Sequence, residues 1–341
     1  MRTRAAVILG AGWSVPAGLP PASALFDGDL QAGSLAAYRR LSRVQAAYET
    51  WAERQADPKA EIFLRESYES RWYPVPWPHV VEYVQARLAS PAYGDTRSRT
   101  SLRYGQRVIN RTYCRQHESF WIDLLQRVEL SGVITTNYDL LAERSLRHRS
   151  VKRPPLPGFY YAGLPKPQVA LGQSQPWTVQ DRQDRVPLTG TIPLAKLHGS
   201  LNWAIEDGEC VAIYQDVRAA FRHGGTAAIV PPIPEKQPPA FLTHVWDEAQ
   251  ELLADADVWV VVGYSLPEYD HAIRDLFDRS ACRKLHSLEL HDPYSEQLQG
   301  RWKCLFPTAN VLCFPGIARP ELYLCGACSA RPGLSGPYFL G

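Results

Sequence analysis

His198, in the stretch KLHGSLNW from Lys196, is a residue whose side chain can move a proton at neutral pH. An imidazole has an unperturbed pKa of about 6.5, so it can accept or donate a proton at neutral pH. Taken alone, a histidine before glycine could be a packed turn residue, a catalytic base or a metal ligand. Its role therefore depends on which polar residues the fold brings beside it.

A second group of polar residues follows a predicted buried strand in GVITTNYDLLAE: Thr135, Thr136, Asn137 and Asp139. Open α/β sheets bind ligands at the carboxyl ends of their parallel strands, which is where these side chains would lie. Asn137 or Asp139 could instead simply cap the helix that begins at Leu140. Capping accounts for one residue and leaves the rest of the polar run unexplained.

A glycine-rich turn, GAGWSVPAGLPPA, follows the first predicted strand, which ends at Leu9. Gly10 and Gly12 lack a Cβ, so backbone amides in this turn can approach a pyrophosphate. The dinucleotide fingerprint G-x-G-x-x-G is not satisfied, because its third glycine would fall at Val15 and the next glycine is Gly18. A conventional hydride-transferring dehydrogenase is therefore disfavoured. The turn could also be no more than a tight strand-to-helix connection.

Two further predicted strands end in small or polar residues. VVVGYSLPEYD, from Val260, ends with Gly263 and Ser265, and LELHDPYS ends with Asp292. The carboxylate of Asp292 could accept hydrogen bonds from ribose hydroxyls. Five such strand ends are more than a packed core requires, so we expect them to surround one ligand site.

The elements that must position these residues differ along the chain. Before the TTNYD strand, apolar residues repeat at helical spacing in residues 31–55 and in the stretches from His79 and His117. After it, apolar strands alternate with helices, as in a parallel sheet covered on both faces. Residues 154–193, rich in proline and glycine, indicate an extended connection with little regular structure. We predict an α/β fold, a Rossmann-like parallel sheet with helices on both faces and a helical subdomain inserted at about residues 27–130.

The composition is that of a folded protein, with 341 residues of which 45% are hydrophobic. A net charge of +2 gives no reason to expect nucleic acid or an anionic membrane as the main partner. The longest apolar stretch is far shorter than the ~20 residues that a spanning helix needs. With no recognisable export signal, we expect a cytoplasmic protein.

Seven cysteines are scattered along the chain, as expected for reduced thiols in the cytoplasm. Cys325 and Cys328 have the spacing of a pair of metal ligands, and Cys304 and Cys313 lie upstream. The upstream two are too far apart to form the second close pair of a usual structural zinc site. Free thiols are the favoured interpretation, and no metal is expected.

Five motifs in order, GAGWSVPAGLP, TTNYD, KLHGS, IVPP and GYSLPEYD, resemble the sirtuin superfamily over roughly residues 5–295. They resemble its sirtuin-like branch, found in bacterial NAD-degrading anti-phage defence proteins, more than the protein deacylases. The resemblance implies a sirtuin-like NAD-binding domain over residues 1–300. Residues 301–341 would then form a C-terminal tail of unknown role.

The resemblance also implies roles for individual residues. His198 would be the catalytic histidine, and Asn137 and Asp139 would hold the nicotinamide ribose. The residues that would contact the pyrophosphate, its neighbouring ribose and the adenosine side of NAD lie in the glycine turn and in the GYSLPEYD motif: Gly10, Ala11, Gly12, Ser14, Gly263 and Ser265. Gly18, Thr136 and Asp292 complete the set of predicted NAD-binding residues.

Three departures separate this chain from the deacylases that it resembles. Their Asp-Phe-Arg segment after the first loop is replaced by PASALF, which follows Leu19 and Pro20. Their zinc ribbon of two Cys-x-x-Cys pairs is absent, since Cys210 is the only cysteine between His198 and Val230. AIVPPIPEK stands in place of the Val-x-Phe-Gly-Glu strand that clamps an acylated lysine. These losses argue against protein deacylation.

Hydrolysis of NAD is the chemistry that the resemblance then favours, with NAD as the substrate and nicotinamide and ADP-ribose as products. His198 would accept a proton from a ribose hydroxyl or from the attacking water. Asn137 would position that water or the ribose, and Asp139 would anchor hydroxyls or support developing positive charge. A protein deacylase or ADP-ribosyltransferase using the same pocket, and a non-catalytic sensor of NAD or ADP-ribose, stay open. A homo-oligomer or a partner subunit of a defence system is expected, with neither membrane nor direct nucleic-acid binding.

Overall fold

A computed structural model describes residues 2–17, 19–27, 35–69, 75–88, 117, 119–147, 158–164, 168–169, 191–206, 210–214, 227–232, 238–281 and 285–316. Gly18, Cys325 and Cys328, which the sequence singled out, lie outside these residues. No helix within the described ranges is long and apolar enough to span a membrane.

Seven parallel strands form the main sheet, with β1 (Arg4–Leu9) at its centre. On one side of β1 lie β2 (Glu129–Thr135), β5 (Ile192–Lys196) and the edge strand β3 (Phe159–Tyr161). On the other side lie β9 (Val258–Val262), β10 (Ser287–His291) and the edge strand β11 (Asn310–Phe314). Every residue of β9 is buried, which explains its continuous apolar sequence, because a central parallel strand is covered on both faces. The predicted fold class is confirmed.

Three helices form a layer of their own beside the sheet: α1 (Leu35–Ala52), α2 (Ala60–Glu69) and α3 (Trp77–Leu88). Their buried residues, among them Val44, Phe63 and Val80, pack into one apolar cluster that also includes Leu201 and Ile229. A further helix, α4 (119–127), belongs instead to the core of the main sheet through Phe120, Trp121 and Leu124. That residues of about 27–130 form one inserted subdomain stays a prediction.

The remaining helices follow the strands as the alternating pattern predicts. They are α5 (Leu141–Arg147), α6 (Thr243–Ala254), α7 (His271–Ser280) and α8 (Ser295–Leu305). The sheet continues past residue 300, because α8 leads into β11 at its edge. The predicted boundary between domain and tail therefore falls within α8.

A second sheet of four strands, in the order β4-β7-β6-β8, was not predicted. Its strands are β4 (Gln168–Val169), β6 (Gly199–Glu206), β7 (Cys210–Ile213) and β8 (Ala227–Ile229). KLHGSLNW is thus not one strand, since β5 ends at Lys196 and β6 begins at Gly199 in the other sheet. The prediction of an irregular connection over residues 154–193 is wrong where β3 and β4 form, because such short strands leave little period in the sequence.

Gly199 makes the turn between the two sheets, with a left-handed φ of +77°, and a Cβ there would lie 1.9 Å from the carbonyl oxygen of Ala228. We expect Gly199→Ala to lower the free energy of unfolding by more than the ~1–3 kcal/mol that an alanine in such a conformation costs, because the clash adds to it. Urea denaturation measures the change. Gly158→Ala is the matched control, since Gly158 has φ +80° but open space around its Cα. Equal losses in the two variants would contradict the role given to the clash.

Candidate functional site

The candidate site lies where the strand order of the main sheet reverses. The chain builds the β2 side of β1 first and returns to its other edge with β9. Loops that follow the two strands at such a switch point leave a crevice at their carboxyl ends, which is where open α/β sheets bind ligands. The glycine turn follows β1, and GYSLPEYD follows β9.

These two loops pack backbone against backbone. The N–H of Gly10 donates to the carbonyl of Val262 at 3.0 Å, and that of Gly12 donates to Gly263 at 2.9 Å. A Cβ on Gly10 would lie 2.4 Å from the oxygen of Gly263, and one on Gly12 would lie 2.6 Å from its Cα. Gly263 itself has φ +61° and equally close neighbours. The contact between the two loops thus requires glycine at these positions. This reason differs from the predicted one, which was the approach of a pyrophosphate to the backbone.

A cavity of about 750 Å³ opens over the two loops. Its size is within the ~300–1,000 Å³ usual for small-molecule sites. Ten of the predicted site residues line it: Ala11, Gly12, Ser14, Thr136, Asn137, Asp139, His198, Gly263, Ser265 and Asp292. Gly10 lies behind the loop contact and is not among the lining residues, and Gly18 is outside the described residues. The structure thus brings four of the five motifs together through predicted side chains, and IVPP contributes Pro232.

A hydrogen-bond network joins Ser14, Asn137 and Asp139. The Ser14 hydroxyl donates to Asp139 Oδ2 at 2.8 Å, and Asn137 Nδ2 donates to the Gly10 carbonyl at 2.8 Å and to Ser14 Oγ at 3.2 Å. Asp139 Oδ1 also accepts the N–H of Leu141 at 2.8 Å. The capping role and the cavity-lining position of Asp139 are therefore compatible, because each uses a different carboxylate oxygen.

His198 lines the same cavity as this network and is buried, with 4% of its surface exposed. Burial lowers its pKa from 6.5 to about 4, although a hydrogen bond to the backbone of Thr136 opposes this shift. The imidazole is therefore neutral at pH 7. Nε2 is buried, lacks a hydrogen-bond partner among the described residues, and belongs to a side chain that lines the cavity. This is the state of a base ready to accept a proton.

Backbone hydrogen bonds hold the motifs around His198 in register. Leu197 donates to the carbonyl of Thr135 at 2.9 Å, and Val230 donates to the carbonyl of His198 at 2.9 Å. The indole N–H of Trp246 donates to the Leu197 carbonyl at 3.0 Å. The histidine is thus fixed by both neighbouring strands and by helix α6.

A fully buried ion pair lies beneath this turn. Lys196 Nζ is 2.8 Å from Glu143 Oε1 and also donates to the carbonyl of Asp139, and both side chains of the pair have no exposed surface. The Tyr161 hydroxyl donates to the same Glu143 oxygen at 3.0 Å, and Asn202 Nδ2 donates to Tyr161 at 3.3 Å. The network connects β5, α5 and β3 with the second sheet.

The sequence reading missed one polar wall of the cavity. Glu61, Tyr138, Tyr264, Tyr269 and Asp270 all line it. Asp270 and its tyrosine neighbours stand in the quoted motif GYSLPEYD, so the motif itself was a usable signal. Glu61 comes from α2 of the helical layer, and nothing in its local sequence distinguishes it from a solvent-facing glutamate. His291 also lines the cavity and was not predicted. It is buried, and its Nε2 lies 3.4 Å from Glu289 Oε2.

Cys304 and Cys313 are free cysteines and belong to no cluster of metal-binding residues within the described ranges. No group of three or more histidine, cysteine, aspartate or glutamate residues among the described ranges could hold a metal ion. Cys304 is an exposed free thiol, and Cys313 is a half-buried one whose Sγ lies 3.4 Å from the Ser295 carbonyl.

Comparison with known proteins gives distant structural matches. The chain is similar to a structure solved to explain the mechanism and regulation of Sir2 enzymes, at 15% identity, covering 85% of this chain and 80% of that one, with a TM-score of 0.34. It is similar to a mutant Sir2 homologue in complex with ADP-ribose, at 14% identity, 93% and 87% coverage and a TM-score of 0.39. A complex of Sir2 with a p53 peptide and NAD+ matches at 13% identity, 92% and 88% coverage and a TM-score of 0.36. No family model matches the chain. No curated protein matches it.

Proposed function

We propose that this protein is an NAD+ hydrolase that cleaves the bond between nicotinamide and ribose and releases nicotinamide and ADP-ribose. The observation that carries the proposal is His198, a neutral, buried histidine whose Nε2 has no partner among the described residues and which lines the cavity. It lines the same cavity as Asn137 and Asp139, at the switch point of the sheet. A site that only bound a nucleotide would have no need of an unpaired base there.

The cavity is large enough for a dinucleotide, and part of its lining suits a ribose. Ser14, Asn137 and Asp139 present hydroxyl, amide and carboxylate groups that suit the hydroxyls of a ribose. Gly12 and Gly263 line the cavity without side chains. NAD would therefore lie with its nicotinamide ribose beside Asn137, and its adenosine side toward Ser265 and Asp292.

Breaking the nicotinamide–ribose bond develops positive charge on the ribose, as in glycoside hydrolysis. Asp139 is a carboxylate near that position and would stabilise the charge. Nicotinamide leaves as a neutral molecule, water adds its oxygen to the ribose carbon, and His198 accepts the proton that the water loses. The hydrogen bond of His198 with the Thr136 backbone holds the ring in place while Nε2 receives the proton.

The test is to incubate the purified full-length protein with NAD, with and without an acylated peptide, and to follow nicotinamide and ADP-ribose. Release that does not depend on the peptide supports hydrolysis. Turnover that requires the peptide would show a deacylase, and transfer of ADP-ribose to the peptide would show a transferase. Either result would contradict the proposal.

Asn137→Ala is expected to slow NAD cleavage by about 10²-fold, because Asn137 links Ser14 to the Gly10 carbonyl and its loss lets the ribose-facing groups shift. Initial rates of nicotinamide release measure the effect. Asn310→Ala, at an exposed position of β11, is the matched control and should keep the parental rate. A full rate in Asn137→Ala would remove Asn137 from the proposed mechanism.

We further propose that the activity serves anti-phage defence, either as a homo-oligomer or with a partner subunit. The support is the resemblance of the ordered motifs to NAD-degrading defence proteins. Cells that carry the wild-type gene should lose NAD after phage challenge, whereas cells that carry His198→Ala should not. Unchanged NAD in challenged wild-type cells would contradict the defence role without touching the hydrolase proposal.

A further inference from the structure

The cavity is acidic. Among the described residues that line it there are four carboxylates and neither lysine nor arginine: Glu61, Asp139, Asp270 and Asp292. Clefts lined by one sign of charge concentrate ligands of the opposite sign. Two of the four, Glu61 and Asp270, lie apart from the Ser14, Asn137 and Asp139 network and have no part in the proposed hydrolysis.

Asp270 is a buried acid of this wall whose carboxylate could accept a further hydrogen bond. It is 2% exposed, and the Tyr264 hydroxyl donates to its Oδ2 at 2.8 Å. Its Oδ1 is buried and makes no hydrogen bond of good geometry among the described residues, although the backbone N–H of Ile273 is close enough to lower the pKa of the carboxyl. A buried carboxylate oxygen without a hydrogen bond raises the free energy of the protein. An N–H donor that entered the cavity and bonded to Oδ1 would remove this cost.

Aromatic rings flank the two carboxylates. The Tyr269 hydroxyl hydrogen-bonds to Glu61, and the Tyr138 ring centroid lies 6.2 Å from that of His198. Lys59 Nζ already sits 5.8 Å from the centroid of the Tyr269 ring, although Lys59 does not line the cavity. The lining thus combines carboxylates with tyrosine side chains, a combination that suits an organic cation.

We propose that Glu61, Asp270 and the Tyr138 and Tyr269 rings form a subsite, next to His198, for the ammonium or guanidinium group of a second ligand. The cation would donate to Oδ1 of Asp270 and lie against the tyrosine rings. The subsite does not depend on NAD hydrolysis, because a cation can be bound with no NAD present.

Binding at this subsite depends on pH. The pKa of Asp270 is raised to about 7, chiefly by burial; hydrogen bonds from the Tyr264 hydroxyl and the Ile273 backbone oppose the shift, and the nearby charge of Glu61 adds to it. The other ionisable groups near this carboxylate among the described residues include the Tyr269 and Tyr138 hydroxyls, and the Arg274 guanidinium acts on the Tyr264 hydroxyl that donates to it. A cation binds the ionised carboxylate, so its affinity should rise from pH 6 toward pH 8 and level off once Asp270 has lost its proton.

The test uses agmatine, which carries both cationic groups, and N-butylurea, a neutral molecule of similar shape, in calorimetric titrations of the full chain without NAD. We expect agmatine to bind at pH 8 and N-butylurea not to bind. Asp270→Asn should weaken agmatine about 10- to 100-fold, as expected when a hydrogen bond to a charged group is lost. Glu61→Gln should weaken it in the same direction. Glu268→Gln, at an exposed acid of the same loop, is the matched control.

Equal binding of agmatine and N-butylurea would overturn the subsite. So would equal losses in Glu268→Gln and Asp270→Asn, because the effect would then come from the general charge of the protein. A chain that binds agmatine as described but leaves NAD intact would keep the subsite and reject the hydrolase. The two proposals therefore fail separately.

Discussion

Replacing His198 with alanine is expected to slow NAD cleavage by about 10²- to 10⁴-fold, the usual loss when a well-placed general base is removed. The reason is local, because His198 lines the cavity and its buried Nε2 lacks a hydrogen-bond partner within the part of the chain that the structure describes. The measurement is the initial rate of nicotinamide release at saturating NAD. Asp139 and Asn137 keep their hydrogen bonds to Ser14 in the variant, so NAD binding should change little.

His286→Ala is the matched control, since His286 is an exposed histidine between α7 and β10. It should keep the parental rate and the parental unfolding midpoint. A parental rate in His198→Ala, with NAD still hydrolysed, would remove the histidine from the chemistry. Loss of NAD binding together with loss of rate would assign His198 a binding role instead.

The pH dependence of the reaction separates this base from an ordinary exposed histidine. Burial sets the pKa of His198 near 4, so Nε2 stays able to accept a proton well below pH 6. The acid limb of kcat/KM, which reports the free enzyme, should therefore lie near pH 4 and not near 6.5. The profile is best compared in the Asp270→Asn background, because Asp270 lines the same cavity and has a pKa of about 7. An acid limb near 6.5 in that background would contradict a buried neutral base.

The position of the site could be predicted from the sequence because parallel strands leave their carboxyl ends at one edge. Leu9, Thr135 and Lys196 end neighbouring strands, with Leu9 paired to Thr135 and Thr135 paired to Lys196. Once the strands were recognised from their apolar runs, the polar residues after them had to meet. His198 follows Lys196 by two residues, which is why its position was accessible as well.

The physical reason for the glycines was less accessible. A G-x-G turn after a strand predicts room for a phosphate, and nothing local shows that another loop will occupy that room. Gly12 and Gly263 are 251 positions apart, yet each excludes a Cβ on the other. Only the pairing of β1 with β9 brings them together, and that is a property of the whole sheet.

The second sheet and the buried polar residues were missed for a related reason. β6 and β8 contribute Leu201 and Ile229 to the apolar cluster of the helical layer, so their pattern depends on a partner elsewhere in the chain. Asp270 and Glu143 are acids, which single-sequence reasoning assigns to the surface because charged residues are rarely buried without a partner. Their burial depends on Tyr264 and Lys196, and tertiary contacts alone supply those partners.

Lys196→Met is expected to lower the free energy of unfolding by about 3–5 kcal/mol, because it leaves the Glu143 carboxylate buried with no cation. Tyr161 would still donate to Glu143 Oε1, but a neutral hydroxyl does not replace the ammonium group. Urea denaturation followed by tryptophan fluorescence measures the loss. Arg40→Met is the control, since the Arg40–Glu82 pair lies partly in solvent, and removing it should lower the free energy of unfolding far less than Lys196→Met does.

The double variant Lys196→Met/Glu143→Gln tests whether the uncompensated charge is the cause. The glutamine keeps an acceptor for Tyr161 and carries no charge, so the double variant should be more stable than Lys196→Met alone, although the Asp139 carbonyl still lacks its Nζ donor. If the double variant is as unstable as the single one, the loss comes from packing or from that carbonyl. Lys196 donates to the backbone carbonyl of Asp139, whose side chain lines the cavity. The rate of NAD cleavage by the double variant, measured at a temperature where that variant is fully folded, therefore shows whether Lys196 also positions the site.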